Sequence, residues 1–220
     1  MNLSEIDKKQ FLGKGNMSKC YILEDGNVLK LFNCPRDVSE IERFKYFLKY
    51  SNNSFLFPFE FIYDSRKFYG YITKKAMGKT LSETFFKSNL LKLSKDSYKL
   101  ERDMDFVSSG GIVLYDLHDD NVLYDGEKYS VIDFDESGIS SDIQYASNAN
   151  RRYHNILIGN LFLENLYKIK SSQIIIDKIN KYKFMSIRPS EMIVQVKNDI
   201  EKYYNEDIDV LDDINNIIRR

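Results

Sequence analysis

A segment of the sequence from Ile112 to Ser137, IVLYDLHDDNVLYDGEKYSVIDFDES, concentrates carboxylate and amide side chains between short apolar runs. Asp116 and Asn121 stand at opposite ends of one polar loop, and Asp133 follows the apolar run YSVI. A carboxylate and an amide oxygen are ligands that Mg²⁺ accepts when it is also bound to phosphate. A further carboxylate can accept the proton of an attacking hydroxyl. These residue types therefore predict chemistry on a phosphate group.

The apolar runs around this loop predict the elements that position the three side chains. Residues 112–114 and 122–124 read as short strands, and YSVI can run antiparallel beside 122–124. Asp116 and Asn121 then lie on the loop between the first two strands, and Asp133 follows the third. We expect the three side chains to converge.

The N-terminal third of the chain predicts a small antiparallel sheet. Residues 10–33 contain apolar runs separated by the turn EDGN, which fits three strands. An amphipathic helix is expected after Pro35, because Val38, Ile41 and Phe44 recur at helical spacing. Two further strand-like runs are separated by the turn YDSRK. The prediction is a five-stranded sheet with one helix.

The rest of the chain is predicted to be mostly helical. LSKDSYKLERDMDFV has helical periodicity and is followed by SSGG, a typical helix end, and helices are also expected over 148–170, 172–182 and 190–218. The fold class is therefore α+β. We expect an N-terminal lobe over residues 1–75 and a reduced C-terminal lobe over 76–220, joined by a short hinge near KKAMGK at 74–79.

The motif D-x4-N, followed about a dozen residues later by two apolar residues and D-F, resembles the catalytic loop and metal-binding segment of the protein-kinase-like superfamily. DLHDDN and VIDFD carry the resemblance, within residues 114–121 and 131–137. The resemblance implies a two-lobed fold that binds Mg-ATP between its lobes. It makes Asp116 the catalytic base, Asn121 a metal ligand and Asp133 the principal metal ligand.

An upstream segment, LGKGNMSKCY, resembles the glycine-rich loop of the same superfamily. Gly13 and Gly15 match the first two glycines, and Ser18 stands where the third usually lies. Small residues at these places let backbone N–H groups approach phosphates. The resemblance therefore assigns Gly13, Gly15 and Ser18 to nucleotide binding.

The run VLKLF resembles the third strand of kinases, which makes Lys30 the lysine that contacts the phosphates. This lysine needs a carboxylate partner on the following helix, and both Glu40 and Glu42 are at a suitable distance along the chain. At 100° per residue, Glu40 lies beside Phe44 at the edge of the apolar stripe, whereas Glu42 points away. We therefore expect Glu40 to orient Lys30, with Glu42 as the alternative.

The sequence departs from protein kinases in several places. Leu114 and Tyr115 replace the His-Arg pair before the catalytic aspartate, and no A-P-E segment follows DFD. His118 and Asp135 look more like the aminoglycoside and choline kinase-like branch, where Asp135 would assist a second metal and His118 would have a structural role or carry a proton. Asp142 is a candidate for the buried aspartate that anchors the catalytic loop.

The composition narrows the possible partners. Lys and Arg total 32 and Asp and Glu 33, so no net basic field favours nucleic acid or an anionic membrane. The first ten residues lack the apolar core of a signal peptide, and no apolar run approaches 18 residues. Cys20 and Cys34 are too few for a disulfide framework. We expect a cytoplasmic protein with no nucleic-acid or membrane partner.

The expected function is an ATP-dependent phosphotransferase that moves the γ-phosphoryl of Mg-ATP to a hydroxyl acceptor. The absent A-P-E segment and the DLHDDN and DFD details favour a small-molecule acceptor slightly over a protein serine or threonine. One alternative is a pseudokinase-like module that binds nucleotide or a partner without turnover. A second is a dinucleotide-binding protein, which would need a helix directly after the glycines.

Overall fold

The computed structural model describes residues 8–219, and its residues form two compact units that divide between Ala76 and Met77. Each unit is built on its own set of elements. The sequence placed the division between residues 75 and 76.

The N-terminal unit is an antiparallel sheet with one helix. Its strands are in the spatial order β1-β2-β3-β5-β4, which confirms the predicted five-stranded sheet. The elements are β1 (Lys8–Lys14), β2 (Ser18–Leu23), β3 (Val28–Asp37), α1 (Glu40–Leu48), β4 (Glu60–Tyr63) and β5 (Lys67–Thr73).

Pro35 does not start the helix, contrary to the expectation from sequence. It lies inside β3, where the pairing with β5 is interrupted between Leu31 and Arg36. A proline is tolerated at such an irregularity because its missing N–H removes no ladder hydrogen bond. The helix begins only at Glu40, after Asp37 has accepted hydrogen bonds from the backbone and the hydroxyl of Ser39.

The two faces of this sheet have different cores. Leu23, Leu29, Ile62 and Ile72 form an aliphatic cluster. The other core is aromatic: the buried ring of Phe44 on α1 lies 5.4 to 6.3 Å from the rings of Phe61, Phe68 and Tyr71. Aromatic pairs in such geometries each add about 0.5–1.5 kcal/mol beyond the area that they bury. This contact fixes α1 against the sheet.

The C-terminal unit is mostly helical, as predicted, with two very small sheets of order β10-β7 and β6-β8-β9. A 3-10 turn at Phe85–Lys87 precedes α3, and another at Asp119–Asn121 precedes β8. The elements are β6 (Lys79–Thr80), α2 (Leu81–Thr84), α3 (Leu90–Ser109), β7 (Ile112–Val113), β8 (Val122–Tyr124), β9 (Tyr129–Val131), β10 (Gly138–Ile139), α4 (Ile143–Lys168), α5 (Gln173–Tyr182), α6 (Pro189–Tyr204) and α7 (Asp213–Ile218).

The predicted helix over 190–218 is two helices. α6 ends where Asn205 adopts a left-handed conformation with φ 55°, a common helix stop. The short α7 follows after Asp212. Residues 205–212 thus break a periodicity that the sequence suggested was continuous.

Glycines follow the end of α3, and they allow the chain after the helix to lie close to β10. Gly111 has φ 71°, and a Cβ there would lie 2.1 Å from the backbone oxygen of Ser140. The predicted SSGG stop therefore also lets β7 start in close contact with the segment that follows β10. Among residues 8–219, no helix is both long enough and apolar enough to span a bilayer.

Candidate active site

A hairpin positions the polar loop predicted from sequence. β8 and β9 pair antiparallel with Val122 opposite Val131, as expected. The backbone N–H of Ile132 donates to the carbonyl of Asn121 at 2.9 Å, which extends the pairing by one step beyond the two strands. Asp133 is the next residue, so the pairing places the backbone of Asp133 beside the end of the loop that carries Asn121.

The side chains of Asp116 and Asn121 are in direct contact. Asn121 Nδ2 donates to Asp116 Oδ2 at 3.0 Å and to the Asp116 backbone oxygen at 3.1 Å. Asn121 is buried, whereas the Asp116 side chain is 46% exposed. One carboxylate oxygen of Asp116 is therefore fixed by the asparagine, and the carboxylate remains accessible from solvent.

This contact leaves the amide oxygen of Asn121 oriented away from Asp116. Because both hydrogen bonds of the amide use Nδ2, Oδ1 retains its lone pairs for another partner. An amide oxygen of this kind suits Mg²⁺, which prefers oxygen ligands. Among residues 8–219, no three His, Cys, Asp or Glu side chains form a metal site by themselves. A cation here would need Asn121 and phosphate oxygens together with a carboxylate.

Asp133 has an unusual backbone conformation. Its φ is 60°, in the left-handed region, although it is not a glycine. The other two such residues in the described chain, Lys170 and Asn205, lie at the ends of α4 and α6, where that conformation is common. At Asp133 no helix ends, and the conformation costs about 1–2 kcal/mol. Strain of this kind tends to persist at functional sites.

Phe134 and Asp135 follow Asp133 into the interior. Both are buried, and the Asp135 backbone N–H lies 3.4 Å from Asp133 Oδ1. This weak contact bends the Asp133 side chain back over its own turn. The DFD segment is therefore a compact turn with its first carboxylate held locally.

His118 has a structural contact in the loop. Its Nδ1 accepts from the backbone N–H of Asp120 at 3.3 Å and caps the 3-10 turn. Its Nε2 lies 3.6 Å from Asp116 Oδ2, beyond a direct hydrogen bond. The structural role that the sequence left open for His118 is present, and a role in proton transfer stays a hypothesis.

Asp142 does not anchor the loop of residues 114–121, contrary to the expectation from sequence. It is exposed and caps the start of α4, where its carboxylate accepts from the backbone N–H of Tyr145 at 2.9 Å. An aspartate directly before a helix satisfies this role in many proteins. Its position in the chain therefore gave a wrong assignment.

Asn150, two turns further along α4, makes the contacts that Asp142 lacks. It is fully buried; its Oδ1 accepts from the backbone N–H of Leu114 at 2.8 Å, and its Nδ2 donates to Ile112 O at 2.8 Å and Ser108 Oγ at 2.9 Å. These bonds attach the strand before Asp116 to α4. Helical spacing does not separate the two residues, since Asp142 and Asn150 each lie four residues from the buried Ala146.

The two residues that replace His-Arg have separate environments. Leu114 is buried, and its backbone is held by Asn150. Tyr115 is about half exposed, and its ring packs edge-on against Tyr153 of α4 with centroids 6.3 Å apart. An aromatic contact with α4 thus stands where protein kinases have a charged residue.

The glycine-rich segment lies in the hairpin formed by β1 and β2. Gly13 pairs with Cys20 near the end of β1, and the Gly15 backbone N–H donates to Ser18 O at 2.9 Å across the turn. Ser18 is buried at the start of β2. Because a strand rather than a helix follows the glycines, the dinucleotide-binding alternative loses the element that it requires.

Space around the two glycines is open. A Cβ at Gly13 would have no neighbour within 4 Å, and one at Gly15 would meet only Ser18 O at 4.0 Å. Neither glycine has a positive φ. The fold therefore does not require glycine at either position, which separates them from glycines that the packing demands.

Lys30 lies in the centre of the sheet, on β3 between Cys20 of β2 and Tyr71 of β5. It is 7% exposed, and its Nζ is 5.8 Å from the centroid of the Tyr71 ring. Since side chains alternate along a strand, Lys30 shares its face with Phe32, which belongs to the aromatic core beneath α1. Lys30 therefore does not face bulk water.

Glu40 and Glu42 differ in exposure as predicted, with side chains 34% and 75% exposed. Glu40 Oε2 lies 3.5 Å from Arg36 and 3.2 Å from Arg43, whereas Glu42 pairs with Lys45 at 2.8 Å. The arginine pairs were not foreseen. The pairing of Glu40 with Lys30 stays a prediction.

Comparison with known proteins identifies the fold. The sequence matches no protein family model and no curated protein. Among solved structures, the chain is similar to the autoinhibited serine kinase domain of the giant muscle protein titin, with a TM-score of 0.60 and 12% sequence identity. The similarity covers 87% of this chain and 79% of that domain. The chain therefore has a protein-kinase-like fold, as its sequence motifs implied.

Proposed function

We propose that the protein is an ATP-dependent phosphotransferase that moves the γ-phosphoryl group of ATP to a hydroxyl acceptor. The contact between Asp116 and Asn121 is the observation that carries this proposal. It fixes one oxygen of an accessible carboxylate and at the same time leaves an amide oxygen open as a ligand. In the N-terminal unit, the buried Lys30 is the lysine that this proposal assigns to the phosphate oxygens.

Asp116 orients the acceptor hydroxyl and accepts its proton as the acceptor oxygen bonds to the γ-phosphorus. The bond from the γ-phosphorus to its bridging oxygen breaks, and ADP leaves with the electron pair. Lys30 contacts phosphate oxygens, with Glu40 as its proposed orienting partner. Gly13, Gly15 and Ser18 let the backbone of the first hairpin approach the phosphates.

Asn121 and Asp133 would hold the magnesium ion, with Asp135 near enough in the chain to assist a second one. Bound Mg²⁺ supplies charge neutralisation and alignment of the phosphates. The left-handed turn at Asp133 supports this assignment, because a strained backbone at a carboxylate needs a compensating benefit.

The decisive experiment replaces Asp116 by Asn and measures ADP production and nucleotide binding separately. The substitution keeps the shape and removes the base, so turnover should fall at least 100-fold, the usual contribution of a positioned base, with nucleotide affinity nearly unchanged. Asp120→Asn is the matched control, since Asp120 lies in the same loop and its side chain is exposed. Equal turnover in Asp116→Asn and wild type would refute the assigned role.

A pseudokinase-like binding module is the second candidate, and the replacement of His-Arg by Leu114 and Tyr115 favours it. Such a module would bind nucleotide without transferring phosphate. Thermal unfolding with Mg-ATP at about 100 times its dissociation constant should show about 2.7 kcal/mol of stabilisation under either function. Stabilisation without ADP production against any acceptor would favour the module, and no stabilisation by any nucleotide would contradict both.

We place the acceptor among small hydroxyl compounds rather than protein serine or threonine residues. The absent A-P-E segment and the DFD sequence support this preference. Labelled ATP incubated with a panel of amino sugars and small alcohols, and in parallel with general protein substrates, separates the two classes. Transfer only to protein would overturn the preference while leaving the phosphotransferase proposal intact.

A further inference from the structure

A pocket in the C-terminal unit lies between α4 and the loop that joins α5 to α6. Its cavity of about 500 Å³ is lined by Arg151, Arg152 and Asn155 on α4 and by Lys183 and Phe184 on the loop. We call it the basic pocket. Pockets of roughly 300–1,000 Å³ are typical of small-molecule sites. None of these residues belongs to the proposed active site.

The basic pocket concentrates positive charge in a chain whose net charge is −1. Of the described residues, three with cationic side chains line it and no aspartate or glutamate does. Outside the lining, Asp105 of α3 is an acidic partner of Arg151, with its Oδ1 4.0 Å from Arg151 Nη2. Because two of the cations are arginines, whose planar groups match phosphate geometry, the pocket favours a phosphate over a simple halide.

Asn155 adds an acceptor at the wall of the basic pocket. Its Nδ2 donates to the backbone oxygens of Met185 at 3.3 Å and Ile187 at 2.9 Å, so the amide orientation is fixed by the loop. The residue is 3% exposed, and its Oδ1 is buried with no hydrogen-bond partner among the described residues. A buried acceptor without a donor is costly, about 1–3 kcal/mol. Oδ1 has no surface open to water, so a ligand hydroxyl reaches it only when the wall of the basic pocket shifts, and it then supplies the missing donor.

The position of Lys183 is set by packing. A Cβ on Gly159 would lie 2.0 Å from Lys183 Cγ, so the glycine in the middle of α4 makes room for the stem of this lysine. The Lys183 Nζ lies 5.8 Å from the Phe184 ring centroid, and that ring is mostly exposed. The charge therefore stands at a defined place beside an apolar surface, unlike a lysine on a freely solvated helix face.

We propose that the basic pocket binds a small phosphate monoester that carries a neighbouring hydroxyl group, of the phosphorylated polyol type. The phosphate contacts Arg151, Arg152 and Lys183, the hydroxyl donates to Asn155 Oδ1, and the carbon skeleton lies against Phe184. This proposal does not depend on the phosphotransferase function.

Titration calorimetry with the full chain tests whether the basic pocket binds such a phosphate monoester, with glycerol 3-phosphate as the probe. Propyl phosphate, which lacks the hydroxyls, should bind about fivefold more weakly, the effect of one hydrogen bond. Glycerol should give no heat. Affinity should also fall as salt rises from 50 to 300 mM, because the charges are partly exposed.

Two variants remove charge without disturbing the fold. Lys183→Met keeps the apolar stem against Gly159, and Arg152→Gln changes an exposed side chain. Each should weaken glycerol 3-phosphate binding about fivefold. Lys202→Gln is the control, since Lys202 is an exposed cation on α6 outside the pocket and its loss changes net charge equally.

Glycerol 3-phosphate binding that is unaffected by Lys183→Met and Arg152→Gln, or equally weakened by Lys202→Gln, would overturn the proposal. So would equal affinities for glycerol 3-phosphate and propyl phosphate, or no binding at millimolar concentration. Asp133→Asn separates this site from the nucleotide site: it should leave glycerol 3-phosphate binding unchanged, and a loss there would show that the probe occupies the proposed active site instead.

Discussion

Replacement of Asn150 by Leu tests how the proposed catalytic loop, residues 114–121, is held. The two side chains have similar shapes, so the substitution removes hydrogen bonds without opening a large cavity. Leu114 N–H, Ile112 C=O and the Ser108 hydroxyl lose their partner on α4, and all three bonds in the structure are 2.8 to 2.9 Å. The groups are buried, and solvent cannot replace the lost partner.

The loss of free energy of unfolding depends on which of these three groups can form another hydrogen bond. The Ser108 hydroxyl can rotate, and a carbonyl keeps a second lone pair, but the Leu114 N–H has a single hydrogen to donate. A buried donor left unpaired costs about 1–3 kcal/mol, and the carbonyl adds a smaller amount. We expect the free energy of unfolding to fall by about 3 kcal/mol in Asn150→Leu.

Urea denaturation followed by circular dichroism measures this change, and ADP production measures its effect on the site. Asn148→Leu is the matched control. Asn148 lies on the same helix, is exposed, and within the described part of the chain has a hydrogen bond from Gln144 alone, so the change should stay within about 0.5 kcal/mol. Turnover should fall in Asn150→Leu by more than the loss of folded protein explains, because Leu114 leads directly into Asp116. A loss below 1 kcal/mol would refute the anchoring role.

Three further predictions concern other residues. Gly15→Ala should leave the free energy of unfolding within about 1 kcal/mol of wild type, because the added Cβ enters open space. The same substitution should weaken ATP binding. Unchanged ATP affinity would contradict the approach of phosphate to this turn. Gly70→Ala should lower the free energy of unfolding by about 1–3 kcal/mol, because the added Cβ would lie 2.1 Å from the backbone oxygen of Lys30. No change in thermal unfolding would show that β3 and β5 are not so close. Burial lowers the pKa of His154 to about 3 in the folded protein, whereas a histidine in the unfolded chain has a pKa near 6.5. Between pH 3 and 6.5 the unfolded chain therefore binds one proton more than the folded protein at this residue. The free energy of unfolding should therefore fall by about 1.4 kcal/mol per pH unit as the pH drops from 6.5 toward 3. Denaturant titrations of His154→Gln should lack this contribution. Equal pH slopes in the variant and wild type would contradict a buried neutral ring.

The sequence by itself determined the local elements and the order of the site residues. Alternation of apolar residues predicted the strands of the N-terminal sheet, and the turn sequences predicted where they reverse. The positions of Asp116 and Asn121 before β8 and of Asp133 after β9 predicted where these residues lie: the first two on one loop, and the third at the end of the neighbouring strand. These features depend on backbone periodicity over a few residues, which a sequence records directly.

Only the tertiary structure decided which distant groups meet. Asn150 reaches the segment before the proposed catalytic loop from 36 positions away, while Asp142, which the chain position favoured, caps a helix at the surface. The position of Lys183 against Gly159 likewise depends on how two helices and a loop pack. The rotation of a helix and the packing of its neighbours decide which polar side chain enters the interior, and no local pattern encodes that choice, because both Asp142 and Asn150 are polar residues within the same stretch of chain.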